Sequence, residues 1–165
     1  MTAPIPKMDP KVFSLLTGEL GTGHAIGKIC TELGQVLANF LPDLVEMETQ
    51  LKLTFFYEEC EAGYKNDLIA DLDDYMVLVD CSLKNWCQDF TIACPSTIII
   101  SMVEALMGGD PDAIVEPEAR PASTIELEMA PMIMNKIAWV IKSAVNAPGN
   151  YEPILTKPYN AAKRP

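Results

Sequence analysis

The sequence predicts an α+β fold, an α/β arrangement in which helices pack on a largely antiparallel sheet in two or three layers. Apolar residues recur at helical spacing near the start and again near the end of the chain. Between them lie apolar runs with the two-residue alternation of strands, giving the order helix, strands, helix, loop, helix. With 165 residues, 49% of them hydrophobic, the chain is long enough for one domain to bury a sizeable core.

A proline-spaced arm, residues 1–11, comes first. From Ala25 to Leu41 the apolar residues Ile26, Ile29, Cys30, Leu33, Val36, Leu37 and Phe40 share one helical face, and Pro42 closes the helix. The stretch "METQLKLTFFYEEC" sets Leu51, Leu53, Phe55 and Tyr57 against Lys52, Thr54, Phe56 and Glu58, the alternation of a half-buried strand and the clearest in the chain. The runs "YMVLVD" (75–80) and "WCQDFTIAC" (86–94), parted by a polar break at Ser82 to Asn85, predict a hairpin.

"STIIISMVEALM", from Ser96, is open to two readings: its β-branched residues favour a strand, whereas the spacing of Ile99, Met102, Val103 and Leu106 favours a helix. Ser96 or Thr97 as N-cap and Gly108 as stop select the helix. Residues 108–122 form an acidic, proline-spaced loop. The next helix starts at Ser123, which has capping-box spacing to Glu126, and runs through Ile133, Ile137 and Ile141 to about Val145. Pro131 kinks it or delays its true start. After Asn146 one short strand at "PILT" is expected, with fraying beyond. The expected organisation is an N-terminal arm and helix start at 1–24, a folded domain at 25–156 and a flexible tail at 157–165.

A formal charge of −11 opposes phosphate backbones, so nucleic acid is not an expected partner. No apolar run approaches the ~20 residues that span a bilayer, and "MTAPIPKMDP" has prolines where a signal peptide is apolar, so a cytoplasmic location is expected. The five cysteines, Cys30, Cys60, Cys81, Cys87 and Cys94, lack C-x-x-C spacing and sit mostly in apolar runs, which predicts reduced core residues.

Catalytic and metal chemistry find little support. The single histidine, His24, stands in a glycine-rich helix start, and its nearest cysteine, Cys30, is six residues away. "GELGTGHAIG" imitates a dinucleotide fingerprint, but no β-branched strand precedes it and its last glycine falls at the wrong interval. Asp71, Asp73 and Asp74 lack the glycine and terminal glutamate of an EF-hand loop, so a solvated turn is the better reading than Ca²⁺ binding. No catalytic residue, metal or cofactor is expected. Nine methionines, several on the two later helices, suit either core filling or an adaptable partner surface.

One constellation is more specific. "IIISMVEALMGGD", an acidic loop, Arg120–Pro121 and then "STIELEMA" resemble the middle domain of the flagellar motor switch family FliM, in a divergent branch. Gly108–Gly109 and Thr124–Ile125–Glu126, about fifteen residues apart, match in order and spacing, and the resemblance extends over about 25–155. It implies a CheC/FliM-like pseudo-two-fold α/β/α sandwich, shared with the chemotaxis phosphatases CheC and CheX, with 25–41 and 123–145 as paired counterparts. It also implies a non-catalytic module that links the rotor protein FliG to the switch ring and helps set rotation direction or speed.

The implied FliG-facing loop is Gly108, Gly109, Asp110 and Pro111, in which Pro111 replaces the last glycine of the family's Gly-Gly-x-Gly. Neighbouring FliM copies are further implied partners, phosphorylated CheY is a candidate one, and FliN requires a C-terminal domain before which this chain ends. The implied location is cytoplasmic, peripheral at the inner membrane in the flagellar basal body. "MTAPIPKMDPKVFSLL" does not match the family's CheY-capturing peptide.

The alternative is a CheC-type phosphatase, because "GTGHAIGKI" resembles that family's first helix. Such enzymes use a Glu and, three residues on, an Asn that orients water. Alignment on Gly21 and Gly23 places Leu16 and Glu19 there. In the second half Ile133 and Lys136 fall at those positions, and Asn135 and Glu128 cannot both be restored at the required spacing. Catalysis is therefore not expected. An adaptor unrelated to motility is the third class.

Overall fold

The predicted hairpin forms, and its first strand is the centre of the sheet. In the computed structural model, which describes residues 23–60, 65–84, 87–145 and 149–163, Met76–Leu83 (β1) and Cys87–Pro95 (β2) pair antiparallel. Met76 stands opposite Pro95 and Cys81 opposite Phe90, with a register shift between Cys81 and Leu83. The second edge of β1 is shared by two short strands: Ile154–Leu155 (β3) pairs at Ser82 and Cys81, and Tyr159–Asn160 (β4) at Leu78 and Val77. Successive residues Val77, Leu78 and Val79 are all fully buried, so both faces of β1 are covered there. Asp80 crosses the sheet with its polar contacts: its carboxylate accepts from Thr91 Oγ1 at 2.6 Å and from Tyr159 OH at 3.3 Å.

Five helices complete the described chain: Gly23–Thr49 (α1), Lys65–Ala70 (α2), Ser96–Leu106 (α3), Thr124–Met129 (α4) and Pro131–Ala144 (α5), with a short 3-10 turn at Ala161–Lys163. α3 and α5 each serve two clusters. Ile99 and Val103 of α3 and Met134 of α5 meet Val77, Val79 and Cys81 of β1. Their neighbours Met102 and Ile133 turn instead to Val45 of α1 and to Leu51. Side chains one residue apart on a helix lie about 100° apart in rotation, which is how one helix covers both a sheet and a second helix. α1 and α5 pack on each other, the pairing expected for 25–41 and 123–145.

Several elements depart from expectation. α1 does not close at Pro42 but continues to Thr49. Proline inside a helix costs ~3 kcal/mol. Burial of Leu41 and Val45 on either side, at ~1.5–3 kcal/mol each, outweighs that loss. The helix stops where Gln50 takes a left-handed φ of 62° and Thr49 Oγ1 accepts from the Leu51 amide at 3.2 Å.

The expected strand at 51–57 lies outside the sheet. Its alternation is real in burial, with Leu51, Leu53, Phe55 and Tyr57 turned inward and Lys52, Thr54, Phe56 and Glu58 exposed. Alternation reports an extended, half-buried chain and does not decide sheet membership: the inward side chains Leu51, Leu53 and Phe55 pack on the cluster of α1, α3 and α5, and the segment pairs with no described strand.

Neither Ser96 nor Thr97 is the N-cap of α3. Pro95 holds that position, with φ −54° and ψ 136°, and the Ser96 amide is satisfied by the Tyr75 carbonyl at 2.8 Å. The helix expected over 123–145 is two, α4 and α5, meeting at Ala130, with Pro131 in the first turn of α5, where its missing N–H costs nothing. The strand at "PILT" appears as β3, but the chain does not fray after it: β4 and the 3-10 turn continue the fold past 156. The arm, with Leu16 and Glu19, lies outside the described residues.

Tyr57 packs on α1 at Gly34, where any Cβ would clash with the edge of its ring. An alanine in a helix interior usually gains ~1 kcal/mol over glycine. Here the sign reverses. Gly34→Ala is expected to lower the melting temperature and increase amide exchange across 51–57, measured by calorimetry and hydrogen exchange.

Candidate protein-interaction site

The Gly108–Gly109 pair is built by the end of α3. Gly108 has φ +94° and its amide donates to Ala105 O at 3.0 Å, while the Gly109 amide donates to Glu104 O at 2.9 Å. These two bonds are the pattern of a Schellman stop, with Met107 as C-cap. Each glycine has its own reason. Gly108 supplies the left-handed φ, and at Gly109 a Cβ would approach the Glu104 carbonyl oxygen to 2.9 Å. The chain then turns at once: Asp110 Oδ1 accepts from the Asp112 amide at 3.1 Å and the Asp110 carbonyl accepts from Ala113 at 2.9 Å, so Pro111 sits in a compact turn.

The far end of the loop is pinned more strongly. Ser123 and Glu126 form the predicted capping box: the Glu126 carboxylate accepts from the Ser123 amide at 2.6 Å and Ser123 Oγ accepts from the Glu126 amide at 3.4 Å. The same carboxylate takes a two-pronged contact from Arg120, at 2.6 and 2.9 Å. Arg120 foremost, helped by the Ser123 contacts and opposed by burial, lowers the Glu126 pKa to about 2. Beside it, the Asn160 side-chain amide of β4 closes on the Ala122 peptide from both sides, Oδ1 accepting at 2.8 Å and Nδ2 donating at 2.9 Å.

Between these two anchors runs a shallow groove lined by Ile100, Val103, Met107, Gly108, Gly109 and Ile125, with the Arg120–Glu126 pair at its edge. Met107 is 68% exposed and Ile125 59%, two large apolar side chains on either side of a fixed backbone turn. An apolar rim with a rigid, partly open backbone and an acidic turn is chemistry for a protein partner. The sequence did not mark either residue. Ile125 faces water while its neighbour Glu126 is buried, an inversion that follows from the Arg120 contact and leaves no trace in periodicity.

Other sequence candidates are dispersed. His24 is in the first turn of α1 and Asp73 caps the turn before β1, accepting from the Tyr75 amide at 2.9 Å. Among the described residues no three His, Cys, Asp or Glu side chains are placed to hold a metal. Ile133 is buried in the core, Lys136 pairs with Glu48, and Asn135 and Glu128 are exposed. The cysteines divide: Cys81 is buried, and burial pushes the Cys81 thiol up to about 11 and that of Cys94 to about 12. Cys60 is exposed and Cys30 partly so, which corrects the expectation of core residues for these two. No helix among the described residues is long and apolar enough to cross a membrane.

No family model matches the chain. It is 42% identical over 156 residues to the flagellar motor switch protein FliM of Rhizobium meliloti (strain 1021), covering 94% of this chain and 50% of that protein. To FliM of Agrobacterium fabrum (strain C58) it is 38% identical over 159 residues, covering 96% and 50%. The chain thus spans about half the length of the curated relatives it matches. Among solved structures it is similar to the FliG–FliM complex from H. pylori, with a TM-score of 0.67 at 15% identity over 82% of this chain and 75% of that one. The FliM middle domain from H. pylori gives 0.66 at 14% identity over 83% and 74%. These likenesses show a shared fold.

The Glu126 carboxylate sits below its ordinary pKa when folded, so it stabilises the fold above about pH 4.5 and that contribution fades as pH falls toward about 2. Arg120 is about half exposed, and solvent screening reduces what the ion pair adds. Glu126→Gln is expected to cost ~1–2 kcal/mol at neutral pH and to flatten stability between about pH 4.5 and pH 2. Denaturant melts of both proteins across that range measure it.

Proposed function

This chain is a homologue of the FliM flagellar motor switch proteins over nearly its whole length, and on that premise we propose that it is a non-catalytic interaction module of such a switch, engaging FliG through Gly108, Gly109, Asp110 and Pro111. The apolar rim beside the loop carries this reading. Met107 and Ile125 are exposed next to a backbone turn whose shape is fixed at both ends, so a partner meets a preorganised surface and little ordering is lost on binding. The similarity to a FliM chain solved with FliG supports the choice of partner. Asp110, in the turn, is placed for a basic group of FliG. Neighbouring copies of the chain in a ring and a place on the cytoplasmic side of the flagellar basal body belong to the same proposal.

The phosphatase alternative has no observation in its favour. Ile133, at the position where a CheC-type enzyme needs Glu, is part of the core and cannot reach a partner, and Lys136 is tied to Glu48.

Gly109→Val is a poor probe, because its Cβ meets the Glu104 carbonyl and disturbs the helix end as well as any interface. Met107→Glu and Asp110→Asn are cleaner: the first is on an exposed side chain and the second keeps an acceptor for the Asp112 amide. Each is expected to weaken FliG binding by ~1–3 kcal/mol in titration calorimetry with an unchanged melting temperature. Folded variants that bind FliG as the parent does would remove the loop from the interface. Phosphorylated CheY mixed with the chain is expected to lose phosphate at its spontaneous rate, followed by fluorescence or released phosphate.

A further inference from the structure

Away from the loop, the segment that follows α1 is extended without belonging to a sheet. From Lys52 to Tyr57 no main-chain N–H or C=O is hydrogen-bonded to another described residue, and the segment pairs with no described strand. Its shape is nonetheless fixed. Leu53 and Phe55 pack on the cluster of α1, α3 and α5, and Tyr57 packs against Gly34. The outward side chains are Lys52, Thr54, Phe56 and Glu58, and Phe56 is 81% exposed, the most among the described aromatic residues. An extended backbone held in place with its donors and acceptors open to water is a template for a further strand.

The outward side chains select which strand fits. Laid antiparallel on a second copy of itself about a two-fold axis at Phe55, the segment sets Lys52 opposite the second copy's Glu58, Glu58 opposite its Lys52, and Thr54 opposite its Phe56. Opposite charges directly across a ladder attract, and neither Lys52 nor Glu58 is held in an ion pair with another described residue. Other registers lose this match. An axis at Thr54 sets Lys52 against Phe56, and an axis at Phe56 sets it against Cys60. A slip of a single residue turns inward side chains against outward ones, and in-register parallel pairing stacks Lys52 on Lys52 and Glu58 on Glu58.

We propose that residues 52–58 are a docking surface for a second copy of this chain, which adds its own 52–58 antiparallel and forms two Lys52–Glu58 bridges across a two-fold axis. Such a contact closes at two copies, unlike the head-to-tail contact that builds a ring. It uses none of Gly108, Gly109, Asp110 and Pro111, so it stands whether or not the loop engages FliG.

The test is sedimentation over a wide range of protein concentration for the parent, Lys52→Glu, Glu58→Lys, the double exchange, and an equimolar mixture of the two single variants. The parent should show a reversible monomer–dimer equilibrium, with amides 52–58 gaining protection from hydrogen exchange as the dimer forms. Each single variant places like charges opposite each other twice and should weaken the dimer about tenfold. The double exchange, and the mixture of the two singles, place opposite charges together again and should return to the parent's dissociation constant. Dilute samples of every variant should melt as the parent does, because both side chains are exposed. A parent that stays monomeric throughout, single variants that dimerise as the parent does, a mixture that fails to recover, or protection confined to another segment would overturn the proposal.

Discussion

The shape of the candidate surface depends on one closed pair of hydrogen bonds, that between the Asn160 side chain and the Ala122 peptide. A side-chain amide has the same donor and acceptor as a backbone peptide, so Asn160 completes Ala122 as a neighbouring strand would, without a strand being present. Both groups are buried, and an unpaired buried amide costs ~1–3 kcal/mol. The start of α4 is therefore fastened to β4 and through it to the central strand. From that fixed point the Ser123–Glu126 box sets the helix direction, Arg120 closes on the same carboxylate, and Ile125 is left facing outward beside Met107. Removal of the Asn160 amide would loosen one wall of the groove without touching any groove residue.

Two kinds of rigidity meet at this surface. The Gly108–Gly109 end relies on backbone geometry, a left-handed residue and a carbonyl approached too closely for a side chain. The Arg120–Glu126 end relies on charge, and so responds to acid and, at the exposed guanidinium, to salt. A partner binding here meets one wall that is insensitive to solution conditions and one that is not.

The sequence was most legible where the physics is local. Ser123 and Glu126 announce a capping box by spacing alone, Gly108 announces a left-handed stop, and the hairpin follows from two apolar runs and a polar break. Errors arose where a distant contact outweighed a local preference. Pro42 is a helix breaker only until burial of Leu41 and Val45 is counted, and the alternation at 51–57 could not reveal that its inward side chains pack on helices rather than within the sheet. In the site itself the glycines could be found from sequence. Met107 and Ile125 could not: Ile125 is turned outward where Arg120 and Asn160 fasten its neighbours, and Met107 stands at the C-cap of α3.

Every strand pairing in the described sheet is made to β1, and its second edge is covered only by β3 and β4, from the last part of the chain. This has a consequence for biosynthesis. A nascent chain presents β1 with β2 on one side and an unpaired edge from Val77 to Ser82 on the other until Ile154 to Asn160 have cleared the ribosome. That interval is when one chain's β1 can be capped by another chain's strand instead of its own. Crowded synthesis then favours exchanged or aggregated chains, and a chaperone that shields this single strand edge until β3 and β4 emerge prevents it.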